Sequence, residues 1–287
     1  MLVMRRFCFL FLSAWAFVAC GAFKPFTFVQ MSDPQIGFMD RSAGFIQSDT
    51  MMQKAVIAVN ALDPACVIVT GDLVNDSYNS AQDSIYRVRI AEVKAPVYVI
   101  PGNHDIQGFD TEKHRHYVDW RGYDRFSFKD KKCAFIGFDT NCIKDGAADF
   151  EAAQLEWLKG ELAAAKGSKY IFVFVHCPVI KESIDEKEDS ENFPMAQRKA
   201  YIDLFKQYGV AAVFSGHTHR DLSCEYDGIR FYTAGPVGAA LGQSKPGYHV
   251  IRVTADGFTV EYVPTPGVEW HGFNFGRRRP GPPPARP

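Results

Sequence analysis

Short apolar runs recur along this chain, and each of them is followed by a small group of polar residues. Runs of five or six β-branched and aromatic residues are typical of buried strands, and apolar residues at every third or fourth position are typical of helices. The first pattern predicts five strands, at residues 26–31, 66–70, 97–101, 170–175 and 210–215. The second pattern predicts four helices, at residues 48–62, 80–93, 149–165 and 195–208.

The boundaries and the order of these elements suggest an architecture. Asp149 is predicted to cap the third helix, and Gly167 is predicted to end it. The early alternation of strand and helix is typical of parallel βαβ units. Later segments predict antiparallel hairpins. These are residues 123–128 with 133–138, a strand at 229–233 after Tyr226-Asp-Gly228, and residues 248–253 with 258–263 across Ala255-Asp-Gly257.

The polar groups after the strands are rich in metal-ligating side chains. They read Asp33-Pro-Gln35, Gly71-Asp72, Gly102-Asn103-His104-Asp105, a single His176 and Gly216-His217-Thr-His219. Ligands bind at the carboxyl ends of strands in open α/β sheets. Carboxylate, amide and imidazole together suit Mn²⁺, Fe or Zn²⁺ better than Ca²⁺. Two such metals a few ångströms apart promote attack on phosphorus.

The order of these motifs resembles that of the calcineurin-like metallophosphoesterases, from about residue 26 to residue 263. It is similar above all to the subgroup of calcineurin-like phosphoesterase-domain-containing serine/threonine protein phosphatases. The shared segments are Asp33-Pro-Gln35, Gly102-Asn-His-Asp-Ile106, Glu182-Ser-Ile-Asp-Glu186 and Phe214-Ser-Gly-His217. The resemblance implies an α/β fold, a four-layer sandwich of two mixed β-sheets flanked by helices. The metals would lie at the C-terminal ends of the strands.

The resemblance also implies two divalent metal ions as cofactors, drawn from Mn, Fe, Zn and Mg. One ion would be held by Asp33, Gln35, Asp72 and His219, and the other by Asp72, Asn103, His176 and His217. The carboxylate of Asp72 would bridge both ions. Gln35 stands where histidine is commoner, and an amide oxygen is a weaker and harder donor than imidazole. We therefore expect a looser first site, filled by Mn²⁺ or Mg²⁺.

The implied reaction is hydrolysis by a hydroxide that bridges the two ions, with Asp72 and His104 as catalytic residues. His104 would donate a proton to the leaving oxygen. The family usually supports this histidine with an acid three residues after the shared aspartate, where this chain has Asn75. Asp76 and Asp105 are the alternative supports. The predicted substrate contacts are Asn103, His104, Asn141 and Arg220.

Other polar residues have simpler interpretations. His114, His116, His249 and His271 are expected on surfaces or in satisfied hydrogen bonds. The charged run at residues 181–191 is expected to be a solvated loop, with a role facing the substrate as the alternative. Five cysteines beyond residue 20 show no metal-type spacing, so buried free thiols are expected.

Composition and charge restrict the class of protein. An apolar fraction of 47% can form a substantial core, and the formal net charge is -1. Six basic residues lie in the first 20 residues or the arginine-rich tail, and removing them from 32 leaves 26 against 33 acidic residues. An acidic body argues against nucleic acid as a partner. We expect a monomer.

The N-terminus is typical of an export signal. Arg5 and Arg6 precede an apolar stretch over residues 7–22, with cleavage expected after Ala19 or Ala22. Alternatively, Cys20 is acylated and anchors a lipoprotein, or the segment is a buried helix or an uncleaved anchor. The predicted divisions are a signal peptide at 1–22, a phosphoesterase domain at 23–265 and a disordered tail at 266–287. The protein is expected to be exported, as a secreted, periplasmic or envelope protein. If the N-terminal segment is not a signal, the expected location is the cytoplasm.

Three functions remain. The leading hypothesis is a phosphomonoesterase that acts on phosphorylated small molecules or on phosphoserine and phosphothreonine in proteins. The alternative enzyme is a phosphodiesterase or a nucleotide or sugar-nucleotide pyrophosphatase. A non-catalytic scaffold is disfavoured, because every expected metal position carries a residue that can bind metal.

Overall fold

The computed structural model describes residues 22–272, and two β-sheets form the centre of this part of the chain. The first sheet has the strand order β11-β10-β1-β2-β3, and the second has the order β4-β5-β6-β7-β9-β8. The strands are β1 (Phe26–Met31), β2 (Val67–Thr70), β3 (Val97–Ile100), β4 (Phe126–Asp130), β5 (Cys133–Gly137), β6 (Tyr170–Phe174), β7 (Val210–Ser215), β8 (Leu222–Tyr226), β9 (Ile229–Thr233), β10 (Gly247–Val253) and β11 (Phe258–Pro264).

Both sheets are mixed. In the first sheet β1, β2 and β3 run parallel, while β10 and β11 add an antiparallel hairpin beside β1. In the second sheet β5, β6, β7 and β9 run parallel, and β4 and β8 are antiparallel edge strands. The parallel strands of each sheet carry their carboxyl ends to one edge, where side chains from several loops can meet.

A layer of phenylalanine rings joins the facing sides of the two sheets. Phe28 of the first sheet packs on Phe135 and Phe172 of the second, with ring centroids 5.2 and 5.3 Å apart. Phe174 and Phe214 stack on each other at 5.3 Å in the same layer. Such separations fall in the range of favourable aromatic pairs, so the layer holds the sheets in a fixed relation.

Helices cover the outer face of each sheet. Apolar residues of α1, α2, α3 and α4 pack with the first sheet, and those of α5, α6 and α7 pack with the second. The result is helix, sheet, sheet and helix, which confirms the predicted four-layer α/β sandwich. The helices are α1 (Ile46–Ala61), α2 (Ser80–Ala91), α3 (Asn103–Ile106), α4 (Thr111–Arg121), α5 (Asn141–Lys144), α6 (Ala148–Ala164) and α7 (Met195–Tyr208), with a 3₁₀ turn at Ala43–Phe45 before α1.

Local signals predicted some helix ends wrongly. α6 follows Ala147, which makes no side-chain cap, and Asp149 lies inside its first turn. The predicted stop of α6 is close, however, because the helix ends at Ala164 and Gly167 has a φ of 86° in the turn that follows. The sequence pattern did not predict α3, α4 or α5. Tyr117 is the one buried residue of α4, so that helix carries almost no apolar periodicity.

The terminal predictions fall largely outside residues 22–272. The signal segment up to residue 21, with Cys20, lies outside the described residues, and so does the tail from residue 273. The first part of the predicted tail is described, and there the Gly267 carbonyl accepts a hydrogen bond from Lys54 Nζ. No helix in the described part is both long and apolar enough to span a membrane. The cysteines from residue 66 to residue 224 are free thiols, as expected.

Candidate metal centre

Seven candidate metal ligands meet at the shared edge of the two sheets. Those on the first sheet follow β1, β2 and β3, and those on the second sheet follow β6 and β7. The first group is Asp33, Gln35, Asp72 and Asn103, and the second is His176, His217 and His219. The centre is therefore built at the interface of the two sheets, and neither sheet could form it alone.

Two sets of three ligand atoms converge, and both include Asp72. In one set the ligand atoms of Asp72, His176 and His217 lie within 4.8 Å of one another. In the other, those of Asp33, Asp72 and His219 do so. Asp72 is 1% exposed, so its carboxylate is buried between the two sets. This is the arrangement that two cations with a bridging carboxylate require.

Asn103 adds a ligand to the set that contains His176 and His217. Nδ1 of His176 donates to the Thr70 carbonyl at 2.7 Å, so Nε2 of the neutral ring carries a lone pair. That Nε2 atom lies 3.0 Å from Asn103 Oδ1 and 3.4 Å from Asp72 Oδ1. Three atoms with lone pairs thus face one another at short range. A cation between them would satisfy all three, which fits a metal site.

Gln35 extends the other set. Its side chain is 2% exposed, and Oε1 is buried without a hydrogen-bond partner among the described residues. A buried amide oxygen without a partner is costly. Binding to a cation beside Asp33 and His219 would remove this cost. The residues present therefore fit a metal in this set as well.

Backbone carbonyls orient all three histidines. His219 Nδ1 donates to the Ala239 carbonyl at 2.7 Å, and its Nε2 lies 3.6 Å from Asp33 Oδ1. His217 donates through Nε2 to the Ser190 carbonyl at 2.9 Å, which leaves Nδ1 as the nitrogen that can face a cation. Burial lowers the pKa values of His176, His217 and His219. The rings are therefore neutral at pH 7, as metal ligands must be.

The two buried aspartates differ in acidity. Burial raises the pKa of Asp33 to about 7, and the Asp72 carboxylate adds to this rise against the opposing effect of His176. Burial also acts to raise the pKa of Asp72, but His176, His104 and His217 hold it below its ordinary value. Asp72 is therefore the stronger acid of the two.

Most of the ligands occupy a strained backbone conformation. Five of the seven have a positive φ, at 48° for Asp33, 36° for Gln35, 50° for Asp72, 71° for His217 and 55° for His219. Residues with side chains rarely adopt this region, and such strain concentrates at functional sites. The sequence pattern contains no signal for this feature, which sharp turns at the strand ends impose.

Glycines allow the ligand loops to approach closely. A Cβ atom on Gly102 would collide with the Asp72 backbone nitrogen and carboxylate. A Cβ atom on Gly216 would collide with Ser32 Oγ and with the Asp33 carboxylate. The glycines of the Gly-Asn-His-Asp and Gly-His-Thr-His motifs therefore bring the loops of different strands together.

His104 lies at the edge of the ligand cluster. Its Nδ1 donates to the backbone carbonyl of Asn75 at 3.1 Å, and its backbone N–H donates to Asp72 Oδ1 at 2.9 Å. Asp105 is fully buried and accepts from the backbone N–H groups of Leu73 and Gly102 at 3.0 and 2.8 Å. Asp105 therefore holds two ligand loops together. The group that supports His104 is the Asn75 carbonyl.

Asn141 and Arg220, predicted as substrate contacts, are engaged with the protein. Asn141 is 4% exposed, and its Nδ2 donates to Asp139 Oδ1 at 2.7 Å and to the Gly102 carbonyl at 3.2 Å. It lies behind the centre and holds the loop before Asn103. Arg220 is half-exposed and forms an ion pair with Glu191.

The charged run at 181–191 is a largely exposed loop, as expected, and it also contacts the centre. The carbonyl of Ser190 accepts from His217, and Glu191 pairs with Arg220. Sequence reasoning missed the contact because a backbone carbonyl makes it. His249 is buried in satisfied hydrogen bonds, as expected, with Gln30 and Asp221 at 2.9 Å each.

Comparison with known proteins gives relatives that share most of the chain. The serine/threonine-protein phosphatase CPPED1 of Danio rerio is 31% identical over 263 residues, covering 83% of this chain and 84% of that protein. The Homo sapiens protein of the same name is 30% identical and covers 83% of both chains. A probable glycerophosphodiester phosphodiesterase GpdQ of Arcobacter nitrofigilis is 26% identical, covering 72% of this chain and 76% of that protein.

Solved structures share the fold. A purple acid phosphatase from yellow lupin aligns with a TM-score of 0.68 at 16% identity, covering 87% of this chain and 53% of that chain. A dimetal phosphatase from Danio rerio aligns with a TM-score of 0.64 at 15% identity, covering 83% and 95%. The family model described as calcineurin-like phosphoesterase matches residues 26–221. The chain therefore belongs to the calcineurin-like phosphoesterase family and is a phosphoric ester hydrolase.

Proposed function

We propose that the protein is a phosphomonoesterase that requires two divalent cations, with phosphoserine and phosphothreonine in proteins as its substrate class. The observation that carries this proposal is the pair of ligand sets that share the Asp72 carboxylate. Relatives named as serine/threonine-protein phosphatases, matched over 83% of the chain, support the substrate class. Mn²⁺ is the cation we propose for the Gln35 side, because an amide oxygen is a hard donor.

Two bound cations supply an acidified water and positive charge beside the phosphate oxygens. The protein contributes the geometry. Asp72 sets the spacing of the two cation positions, and the carbonyls of Thr70, Ser190 and Ala239 fix the rings of the histidine ligands. Such fixed orientation lowers the cost of reorganisation during the reaction.

His104 is the proposed proton donor to the leaving oxygen. Its Nδ1 atom is occupied by the Asn75 carbonyl, so Nε2 is the nitrogen that can exchange a proton. The residue is half-buried beside Asn103 and lines an open cavity of about 590 Å³. A proton donor beside a candidate metal ligand and open to a cavity can reach a leaving oxygen, as general acid catalysis requires.

A phosphodiesterase is the second candidate. Two cavities flank the ligand cluster, one of about 590 Å³ beside His104 and one of about 650 Å³ beside Arg220. A diester carries substituents on both sides of phosphorus, and two cavities offer room for both. The similarity to a probable glycerophosphodiester phosphodiesterase supports this candidate.

We also propose that the chain is exported, so that its substrates are phosphoproteins or phosphorylated small molecules outside the cytoplasm. Fractionation of the producing cells tests the location, and mass spectrometry of the mature N-terminus tests cleavage and the acylation of Cys20. An intact N-terminus in the cytosolic fraction would contradict export.

Metal analysis and a substrate panel test the function. The purified protein is expected to bind two Mn²⁺ per chain and to hydrolyse p-nitrophenyl phosphate and a phosphoserine peptide. Faster turnover of bis-p-nitrophenyl phosphate than of either monoester would favour the diesterase. The Asp72→Asn variant is the control, because it removes charge from both cation positions. A protein without bound metal and without turnover would contradict both candidates.

A further inference from the structure

We propose that Arg198 and Glu186 are positioning residues for the candidate metal ligand His217. They act through the segment at residues 181–193, named here the bracing loop. The assignment rests on the proposed function, because it concerns the second cation position, that of Asp72, Asn103, His176 and His217. It adds residues that lie outside the ligand motifs.

The bracing loop meets the metal-binding turn at two points. The Ser190 carbonyl accepts the hydrogen bond from His217 Nε2 at 2.9 Å, and the next residue, Glu191, forms an ion pair with Arg220. The two residues contacted, His217 and Arg220, lie on either side of His219 in the sequence. The position of the loop therefore decides which way the imidazole of His217 faces.

A single carboxylate organises the first half of the bracing loop. Glu186 accepts hydrogen bonds from three successive backbone N–H groups, at 2.9, 2.7 and 3.2 Å, and from Asn192 Nδ2 at 2.8 Å. The backbone donors are Lys181, Glu182 and Ser183. Glu186 thus ties the beginning of the loop to Asn192, two residues after Ser190. Bonds to a charged acceptor are stronger than neutral ones.

Arg198 of α7 anchors the bracing loop from behind. It is 1% exposed, and its guanidinium donates to the carbonyls of Ile184, Glu186 and Phe193 at 2.8, 2.7 and 3.1 Å. Among residues 22–272 no carboxylate forms an ion pair with it. A buried cation held by carbonyls alone is costly. An apolar residue could fill the same space, so the arginine is explained by the three carbonyls that it fixes.

Mn²⁺ titration by calorimetry tests the assignment with Arg198→Met, which keeps the bulk but removes the donors, and with Glu186→Gln. Lys199→Met is the matched control, since it removes a cation from the next position of α7, where Lys199 pairs only with Asp203 in the described structure. Asn103→Ala identifies the calorimetric step that belongs to the second cation. Hydrogen exchange at residues 181–193 reports whether the loop is released.

In Arg198→Met we expect faster hydrogen exchange in the bracing loop. We also expect the second Mn²⁺ to bind about 10- to 100-fold more weakly, while the affinity for the first Mn²⁺ stays unchanged. Glu186→Gln changes in the same direction, and it carries the test alone if Arg198→Met does not fold. Lys199→Met should match the wild type. If the bracing loop is released and both Mn²⁺ affinities are unchanged, the assignment is overturned but the proposed function is not. A wild-type protein with no second Mn²⁺ would remove the assignment and the proposed function together.

Discussion

The Nδ1 atom of His104 donates to the backbone carbonyl of Asn75 at 3.1 Å, so a neutral peptide group supports the candidate proton donor. Related enzymes are expected to use an acid at this position of the motif. Neither alternative carboxylate replaces it. Asp105 is used by the ligand loops, and Asp76 accepts from Gln107 and from the Tyr78 backbone at 3.0 Å each.

The side chain of Asn75 should therefore be dispensable for the orientation of His104. Asn75→Ala keeps the carbonyl, and we expect kcat on an alkyl phosphate to change by less than about threefold, the scale of a substitution that removes no essential contact. Steady-state kinetics measure the change. A loss as large as that of His104→Ala would mean that the amide itself takes part.

His104→Ala should distinguish substrates by their leaving groups. An alkoxide needs a proton, so turnover of an alkyl phosphate is expected to fall about 10²- to 10⁴-fold. p-Nitrophenolate leaves without help, so turnover of p-nitrophenyl phosphate should fall far less. Equal losses on both substrates would exclude proton donation by His104.

Gln35 should control how tightly the first cation is held. We expect wild-type protein to lose this cation on dialysis against a chelator and to regain activity with Mn²⁺. Gln35→His should bind Zn²⁺ more tightly because imidazole is a better donor for that ion, and Gln35→Ala should bind the first cation at least ~10-fold more weakly. Metal content after dialysis measures both changes. Retention of the cation by Gln35→Ala would show that Gln35 is not a ligand.

The pair of His114 and Asp124 should make stability depend on pH. Their side chains lie 2.9 Å apart and are mostly buried, and the hydrogen bond to Asp124 raises the pKa of His114 above its ordinary 6.5. The folded protein therefore holds a proton that the unfolded chain releases. This contribution is complete below about pH 6.5 and is lost as the pH rises through the folded pKa.

Urea denaturation of His114→Gln tests this dependence. At pH 6 the variant is expected to be about 1.5 to 3 kcal/mol less stable than the wild type, the range of a hydrogen bond to a charged group. The difference should shrink toward pH 9. The control is Lys199→Met, whose stability should follow the wild type at both values. A difference that grew with pH would contradict the assigned direction.

The sequence predicted the central strands well because short apolar runs are encoded locally. Strand β1 has the predicted bounds, and β2, β3 and β6 differ by one residue at an end. The resemblance implied that Asp72 is shared, and in the structure Asp72 belongs to both groups of candidate ligands. Short apolar runs and adjacent ligands are properties that a single stretch of chain can carry.

The features that sequence analysis missed depend on contacts between distant segments. The backbone carbonyls that orient His104 and His217 carry no side-chain signature, since any residue provides a carbonyl. Asn141 follows a strand as the ligands do, but its burial behind Gly102 depends on the packing of α5. The helix α4 is polar in sequence and is stabilised by its place on the first sheet, where Tyr117 is buried.

Because Asp33 and Asp72 come from one sheet and His176 and His219 from the other, the distance between them depends on how the sheets pack. The rings of Phe28, Phe135 and Phe172 pack closely between the sheets, and such packing resists sliding of one sheet over the other. The packing in the middle of the molecule therefore sets the separation of the candidate ligands at its rim. An aromatic residue that never touches substrate or cation can in this way be as necessary for hydrolysis as a ligand.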